Sequence, residues 1–240
     1  MIRVRFKALF LVHNETSTGV AAPYVQEATK LAKDHGAFAV IDAISSLGGY
    51  AIPVDRWGVD MCITGSQKCV AAPPGLALLS VSKGVVDFLK ASPPKTRYFE
   101  IPRYLEYGER GETPFTPALP LFYALDEALK ELLEEGLAAR VQRHDRMSAL
   151  LYDGLAGQGL QAVAEKSVRS KTVVASYYPP GVDDSKFRKA MSQDRGVVIA
   201  GGFGPFKGKV FRVGCMGQIN EGFVQTTLKA IGETMASFRS

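Results

Sequence analysis

The chain has 240 residues, of which 46% are hydrophobic and 22% charged. Those proportions are close to the average for a globular protein and exclude a disordered tail, a collagen-like repeat and a disulfide-dense mini-domain. Lys and Arg number 29 against 24 Asp and Glu, a mild formal charge of +5 that suits small anionic molecules as well as it suits nucleic acid. No Lys/Arg block with interleaved aromatics marks a nucleic-acid face.

The basic start, Met1 to Lys7, has the flavour of a leader, but the apolar run behind it, Ala8–Val12, ends after five residues at His13-Asn14-Glu15. That is too short for a signal core or a membrane span and reads as a buried strand. Tyr24–His35 follows as an amphipathic helix with Val25, Ala28, Leu31 and Ala32 on one face, stopped by Gly36. Phe38–Ile41, Met61–Thr64 and Leu76–Val81 read as strands, apolar throughout, as in a mostly parallel α/β sheet. Residues 83–117 read as a helix, a loop and an irregular excursion, and Leu119–Leu133 and Leu137–Ala156 as two long helices split by Gly136. From Thr172 the character becomes α+β. Strands are expected at Thr172–Tyr178, Gly196–Ile199 and Lys209–Gly214, and helices near Ser185–Gln193 and Glu221–Ser237, so a second domain is placed over 135–240 after a first over 1–134. Cys62, Cys69 and Cys215 are odd in number and form no CxxC pair, which indicates reduced thiols in a cytoplasmic protein and no metal site.

Three polar segments stand where strands should end, the edge at which open α/β sheets bind ligands. His13-Asn14-Glu15-Thr16-Ser17-Thr18-Gly19 offers hydroxyls, or simply a loop ahead of a helix. Asp42, closing an apolar strand, either caps the next turn or pairs with a protonated ring nitrogen. Lys68 lies among small and apolar residues in Thr64-Gly65-Ser66-Gln67-Lys68-Cys69-Val70; it is a surface lysine on a turn, or a partly buried nucleophilic amine, with Ser66 and Gln67 able to hydrogen-bond a phosphate. A strand-end acid and a lysine one step further along the same edge form the pattern that pyridoxal phosphate requires: an amine for its aldehyde and a carboxylate for its pyridinium nitrogen.

With these blocks in place, the sequence resembles the class V (fold type I) aminotransferases, in the alanine–glyoxylate, serine–glyoxylate and serine–pyruvate branch. The likeness rests on HNETSTG (13–19), VIDAISSLGG (40–49), VDRWGVDMCITGSQKCVAAPPG (54–75), FTPALP (115–120) and GKVFRVGCMG (208–217). It implies a pyridoxal-phosphate large domain with a mostly parallel, incomplete sheet and a small C-terminal α+β domain. It implies that Lys68 bonds the cofactor and relays the substrate proton, that Asp42 pairs with the ring nitrogen, and that Ile44 lies beneath the ring. Gln67 is matched to the phosphate side, Thr16 to the ring oxygen, and Thr116 to a phosphate contact lent by the neighbouring subunit of a homodimer. Arg212 is matched to the arginine that binds the substrate carboxylate; by its own chemistry a strand arginine there serves that role or none. The implied reaction passes an amino group from alanine or serine to a 2-oxo acid such as glyoxylate or pyruvate.

Two departures accompany the likeness. Family members are considerably longer at the N-terminus, where the glycine-rich phosphate turn and a ring-stacking aromatic belong, so the chain is expected to be an N-terminally truncated form. An unpaired sheet edge and apolar faces would then lower its solubility. Thr113 also stands where some relatives have Tyr. The competing functions are another class V chemistry, a cysteine desulfurase or lyase, and a catalytically incompetent fragment. Desulfurases carry His ahead of the lysine and a mobile late Cys, whereas Gln67 precedes Lys68 here and Cys215, the last cysteine, sits in an expected strand.

Overall fold

The computed structural model describes residues 6–238, so the first five residues of the basic start lie outside it. Strand β1 (Ala8–Val12) is followed by a hairpin of two-residue strands, β2 (Asn14–Glu15) and β3 (Val20–Ala21), then helix α1 (Val25–Asp34) and strand β4 (Phe38–Asp42). A short helix, α2 (Val54–Trp57), leads into β5 (Met61–Gly65) and β6 (Ala77–Val81). The sheet runs in the order β1-β4-β5-β6, with β1, β4 and β5 parallel and β6 antiparallel at the edge. The chain therefore has the mixed α/β architecture, with a mainly parallel sheet, that its apolar strands imply.

On α1 the buried residues are Val25, Thr29 and Ala32, while Leu31 is 49% exposed. Val25 and Ala32 of the expected face are buried and Ala28 is half-buried, and only Leu31 lies off it. Residues at i, i+4 and i+7 share a stripe, and Leu31 falls more than a quarter turn away from it. Gly36 ends the helix at φ +68°, letting the Ala37 N–H return to the Ala32 carbonyl. Beneath α1 and α2, Val25, Ile41, Ala43 and Cys62 form a core with Leu11, Ile52 and Trp57 around it.

Helices α3 (Lys83–Ala91) and α4 (Ile101–Gly108) follow; the second lies within the stretch expected to be irregular, its first turn set by Pro102. The long helices α5 (Leu119–Glu135) and α6 (Leu137–Gly157) meet at Gly136, whose φ of +80° turns the chain between them. Beyond them, β7 (Val173–Tyr177), β8 (Ala200–Gly201) and β9 (Val210–Gly214) form an antiparallel sheet in the order β7-β9-β8, joined by α7 (Asp184–Arg195) and α8 (Glu221–Ser237). The expected strand at 196–199 is instead the exit from α7. Gly196 takes φ +67°, Val197 bonds back to Met191, Val198 is 82% exposed, and pairing starts only at Ala200. Met147, Leu151, Phe187, Met191, Phe211 and Ile231 fill the core on this side. Among the described residues no helix is long and apolar enough to cross a membrane, and no cluster of His, Cys, Asp and Glu is set to hold a metal ion.

Candidate functional site

Because β1, β4 and β5 run the same way, Val12 lies beside Asp42 and Asp42 beside Ile63, which brings their carboxyl ends level on one edge. The segments leaving these ends are tied to one another by hydrogen bonds centred on Ser45. The Ser45 hydroxyl accepts from Asn14 Nδ2 at 2.8 Å and from the Thr16 hydroxyl at 3.0 Å, and donates to the Asn14 carbonyl at 2.9 Å. Its carbonyl accepts from the Thr172 hydroxyl at 2.6 Å and faces Cys69 Sγ at 3.9 Å. Ser45 thus joins the hairpin, the turn after Asp42, the Lys68 segment and β7. It stands inside a quoted motif, yet its spacing alone distinguishes it in no way from Ser46 beside it.

The half-buried Asp42 accepts the Ile44 N–H on Oδ1 at 2.9 Å, so it does cap the next turn. Oδ2 has no protein partner among the described residues, which leaves one carboxylate oxygen open to a ligand. The capping and ligand-pairing alternatives are compatible, because a carboxylate has two oxygens. Ile44 follows, 37% exposed on the same turn.

Past β5, Gly65 leaves room for the Gln67 side chain, whose Oε1 would lie 2.9 Å from any Cβ there. Ser66 is buried, with its hydroxyl donating to the Pro73 carbonyl at 2.6 Å and accepting from the Leu76 N–H at 3.3 Å. It is therefore a staple for the loop rather than a phosphate ligand; a serine hydroxyl has one proton to give, and Pro73 has it. Gln67 is exposed, with its amide available. Lys68 is half-buried, and its Nζ has no hydrogen-bond or ion-pair partner among the described residues. Cys69 is wholly buried, and burial pushes its thiol up to about 12, so it remains protonated beside the amine. Ala71, at φ +70°, is the one non-glycine residue of positive φ among the described residues, a cost that this tight loop carries.

Arg212 reaches the site from the other sheet. From the middle of β9 its Nε donates to the Gly201 carbonyl at 2.9 Å and its Nη1 to the Thr16 carbonyl at 3.1 Å, with the guanidinium 4.7 Å from the Phe203 ring centre. Partial burial pushes the guanidinium below its ordinary value while the charge of Glu15 opposes this. Arg212 is thus joined to Thr16, and Ser45, on the turn that carries Asp42 and Ile44, meets both Thr16 and the Cys69 neighbour of Lys68. Thr116 stands apart: it is exposed on the loop before α5 and makes no hydrogen bond to the others within this chain.

One cluster had no distinguishing signal in the sequence. Glu135, closing α5, receives Arg140 Nη1 at 2.8 Å and Arg143 Nη2 at 2.7 Å on Oε2, and Arg143 Nε at 2.6 Å on Oε1. Arg140, fully buried, also donates to the Cys69 carbonyl at 2.7 Å, and Arg143 to the carbonyls of Gly217 at 3.0 Å and Ile219 at 2.6 Å. Along the sequence nothing separates Glu135, Arg140 and Arg143 from the other charged residues of and between the helices expected at Leu119–Leu133 and Leu137–Ala156.

The donor set suits an aldehyde-bearing, pyridine-type cofactor: a free amine, a carboxylate with an open oxygen and an exposed apolar side chain on one edge, with a guanidinium hydrogen-bonded to the adjoining hairpin. Residues 1–204 match the family described as Aminotransferase class-V. An uncharacterized aminotransferase of Methanocaldococcus jannaschii is 43% identical over 94% of this chain and 59% of its own length. Serine–glyoxylate aminotransferase of Arabidopsis thaliana is 34% identical over 90% of this chain and 54% of its own. The crystal structure of ureidoglycine–glyoxylate aminotransferase from Bacillus subtilis superposes with a TM-score of 0.92 at 30% identity, over 99% of this chain and 62% of that one. The chain thus spans less than two thirds of the length of these relatives.

Proposed function

The chain belongs to the class-V aminotransferase family, and on that premise we propose that it serves pyridoxal-phosphate-dependent transamination, moving the amino group of a small amino acid, alanine or serine, to a 2-oxo acid such as glyoxylate or pyruvate. The observation that carries this reading is that the Lys68 amine, in the segment after β5, and Asp42 Oδ2, at the end of its parallel neighbour β4, both lack a partner among the described residues.

When bound, the cofactor supplies a sink for the electrons left behind as the substrate Cα loses its proton. The rest is work for this chain's residues. Lys68 would hold the aldehyde end, and its free amine would be the base that takes the substrate Cα proton and the acid that returns one. Asp42, through its open Oδ2, would keep a proton on the ring nitrogen. Ile44 would offer an apolar seat for the ring and Gln67 an amide toward the phosphate, while Thr16, whose hydroxyl gives its proton to Ser45, would meet the ring oxygen only as an acceptor. Arg212 binds the substrate carboxylate, and its bonds to Gly201 and Thr16 limit its swing, so the Cα–H is presented in a narrow range of angles.

In the same reading Thr116 completes the phosphate site of a second subunit in a homodimer. Tyr98, Phe99, Leu119, Phe122 and Tyr123, exposed between 44% and 73% on the segments flanking that loop, form the kind of surface that association covers. The chain divides at residue 135 into a large-domain part and a small domain, supported by a C-terminal core drawn only from residue 147 onward. The setting is cytoplasmic. A desulfurase is disfavoured by Cys215: it follows β9, is fully buried, and has a thiol pushed up to about 12, mainly by burial, whereas a sulfur-accepting cysteine needs an exposed thiolate.

The test is borohydride reduction after adding pyridoxal phosphate, followed by peptide mapping, then screening of amino donors. Label concentrated on Lys68, with amino transfer from alanine or serine to glyoxylate that Lys68→Ala abolishes, is the expected result. Label spread over surface lysines would overturn the reading.

A further inference from the structure

We propose that Glu135, acting through Arg140 and Arg143, is a positioning residue that holds the Lys68 loop at a set distance from the end of the Arg212 strand; this rests on the roles given above to Lys68 and Arg212.

Three observations carry it. The first is what the cluster joins. One carboxylate, Glu135, receives two arginines, and each arginine spends its remaining reach on backbone carbonyls of a different segment. Arg140 takes the Cys69 carbonyl, one residue past Lys68, and Arg143 takes those of Gly217 and Ile219, in the turn that follows β9. The second is how closely those two segments lie. A Cβ on Gly217 would sit 3.1 Å from the Ala71 side chain and 3.7 Å from the Lys68 carbonyl oxygen, so the turn after β9 packs directly on the Lys68 loop. The third is the loop's strain. Ala71 is held at φ +70°, a conformation that persists only where the surroundings impose it. The Arg140 bond to the Cys69 carbonyl is a fully buried, charge-assisted contact two residues away and is suited to imposing it.

Why the carboxylate matters follows from burial. Arg140 is wholly buried, and a buried guanidinium without a counter-charge is costly. Glu135 neutralises it, and the Arg143 hydrogen bonds, ahead of those from Arg140, hold the Glu135 carboxyl below its ordinary value, so it is ionised at neutral pH. Gly136, at φ +80°, places Glu135 at the turn between α5 and α6, where one side chain can reach both arginines of the next helix. The cluster therefore joins two segments far apart in sequence, one bearing the amine and one leading from the guanidinium.

The experiment is hydrogen–deuterium exchange of the full chain, without added cofactor, comparing the wild type with Arg143→Ala, Arg143→Lys and Glu135→Gln. In Arg143→Ala, exchange should rise about tenfold in peptides covering 66–72 as well as in those covering 215–220, since a charge-assisted hydrogen bond contributes on that order. Arg143→Lys should restore part of the protection. A rise confined to 215–220 would overturn the proposal. If Glu135→Gln fails to fold, Arg143→Ala still decides, because its side chain is 18% exposed and its removal leaves Glu135 with Arg140. A second readout is the ratio of Lys68 to surface-lysine labelling by pyridoxal phosphate and borohydride. A selective drop at Lys68 in the variants supports the proposal, and an unchanged ratio overturns it. Absence of selective Lys68 labelling in the wild type would instead overturn the assignment of Lys68, and the positioning role with it.

Discussion

At the scale of single residues, charge is placed where hydrogen bonds can meet it. Asp60, just ahead of β5 and 4% exposed, accepts from Lys33 Nζ at 2.9 Å on each oxygen, from the Ala39 N–H at 2.9 Å and from the Ser82 hydroxyl at 3.0 Å. It thereby ties α1, β4 and the start of α3 together. Burial by itself raises its carboxyl, but the bonds from Lys33, Ala39 and Ser82 outweigh that and hold it below the usual carboxylate value. A carboxyl depressed in the folded state stabilises the fold above its unfolded value, about 3.9, and loses that contribution as pH falls through the folded value. Asp60→Asn should therefore be destabilised by about 2–3 kcal/mol at neutral pH, and the gap to the wild type should close progressively below about pH 4. Urea unfolding at pH 7 and at a series of values down to pH 3 measures it; a gap that stays constant would show that the charge at Asp60 is immaterial.

At the scale of elements, the hairpin β2–β3 is the small device on which the site depends, since it carries Thr16 to Ser45 and offers its carbonyl to Arg212. Its turn closes through Gly19, at φ +68°, which bonds back to Glu15 and gives its own carbonyl to the Ser170 N–H. A Cβ on Gly19 would stand 2.7 Å from the Val173 carbonyl oxygen and 3.1 Å from the Ala175 nitrogen, so backbone of β7 would have to retreat. Gly19→Ala adds a left-handed penalty to an overpacking penalty and should cost roughly 2–4 kcal/mol, read as a lowered denaturation midpoint. Selective labelling of Lys68 should fall with it, because β7 and the hairpin are both fastened to Ser45. An alanine variant as stable as the wild type would mean that the hairpin rides freely on β7.

At the scale of the whole molecule, the first sheet is covered unevenly. Helices α1 and α2 pack on the face that includes Leu11 and Ile41, while on β1 the alternate residues Phe10 and Val12 are 75% and 48% exposed, and Leu79 of β6 is 46% exposed. Among the described residues strand β1 is also one of the two edges of the sheet. An apolar face beside a free strand edge promotes association through added strands. Phe10→Lys with Val12→Lys should raise the concentration at which light scattering sets in, without lowering the unfolding midpoint, because neither side chain is buried. An unchanged onset would place the association surface elsewhere, first at the aromatic segments around Thr116.

Short continuous apolar runs by themselves marked the strands β1, β4, β5 and β6, and the apolar period marked the helices α1, α5, α6 and α8, since burial of a strand or of a helix stripe needs no knowledge of the partner. Asp42 and Lys68 stand out as candidates for a related reason: each is an ionisable group set in apolar surroundings, a local anomaly visible along the chain, whereas Arg212 is marked only by the family resemblance. Other features had no such mark. Nothing along the chain separates Ser45 from Ser46, or Arg140 from any basic residue of a solvated helix face, because their roles come from partners far away in sequence: Ser45 with Thr172, Arg140 with Cys69. Ser66 was misjudged for the same reason, since its hydroxyl is used by the Pro73 carbonyl across a loop whose closure no local pattern states. The exit from α7 was read as a strand because Val197, Val198 and Ile199 are β-branched, and there the left-handed Gly196 and the return bond to Met191 decided otherwise. Only the tertiary structure settles such cases, because a hydrogen bond's partner depends on where the chain returns, whereas an apolar period depends only on which face must leave water.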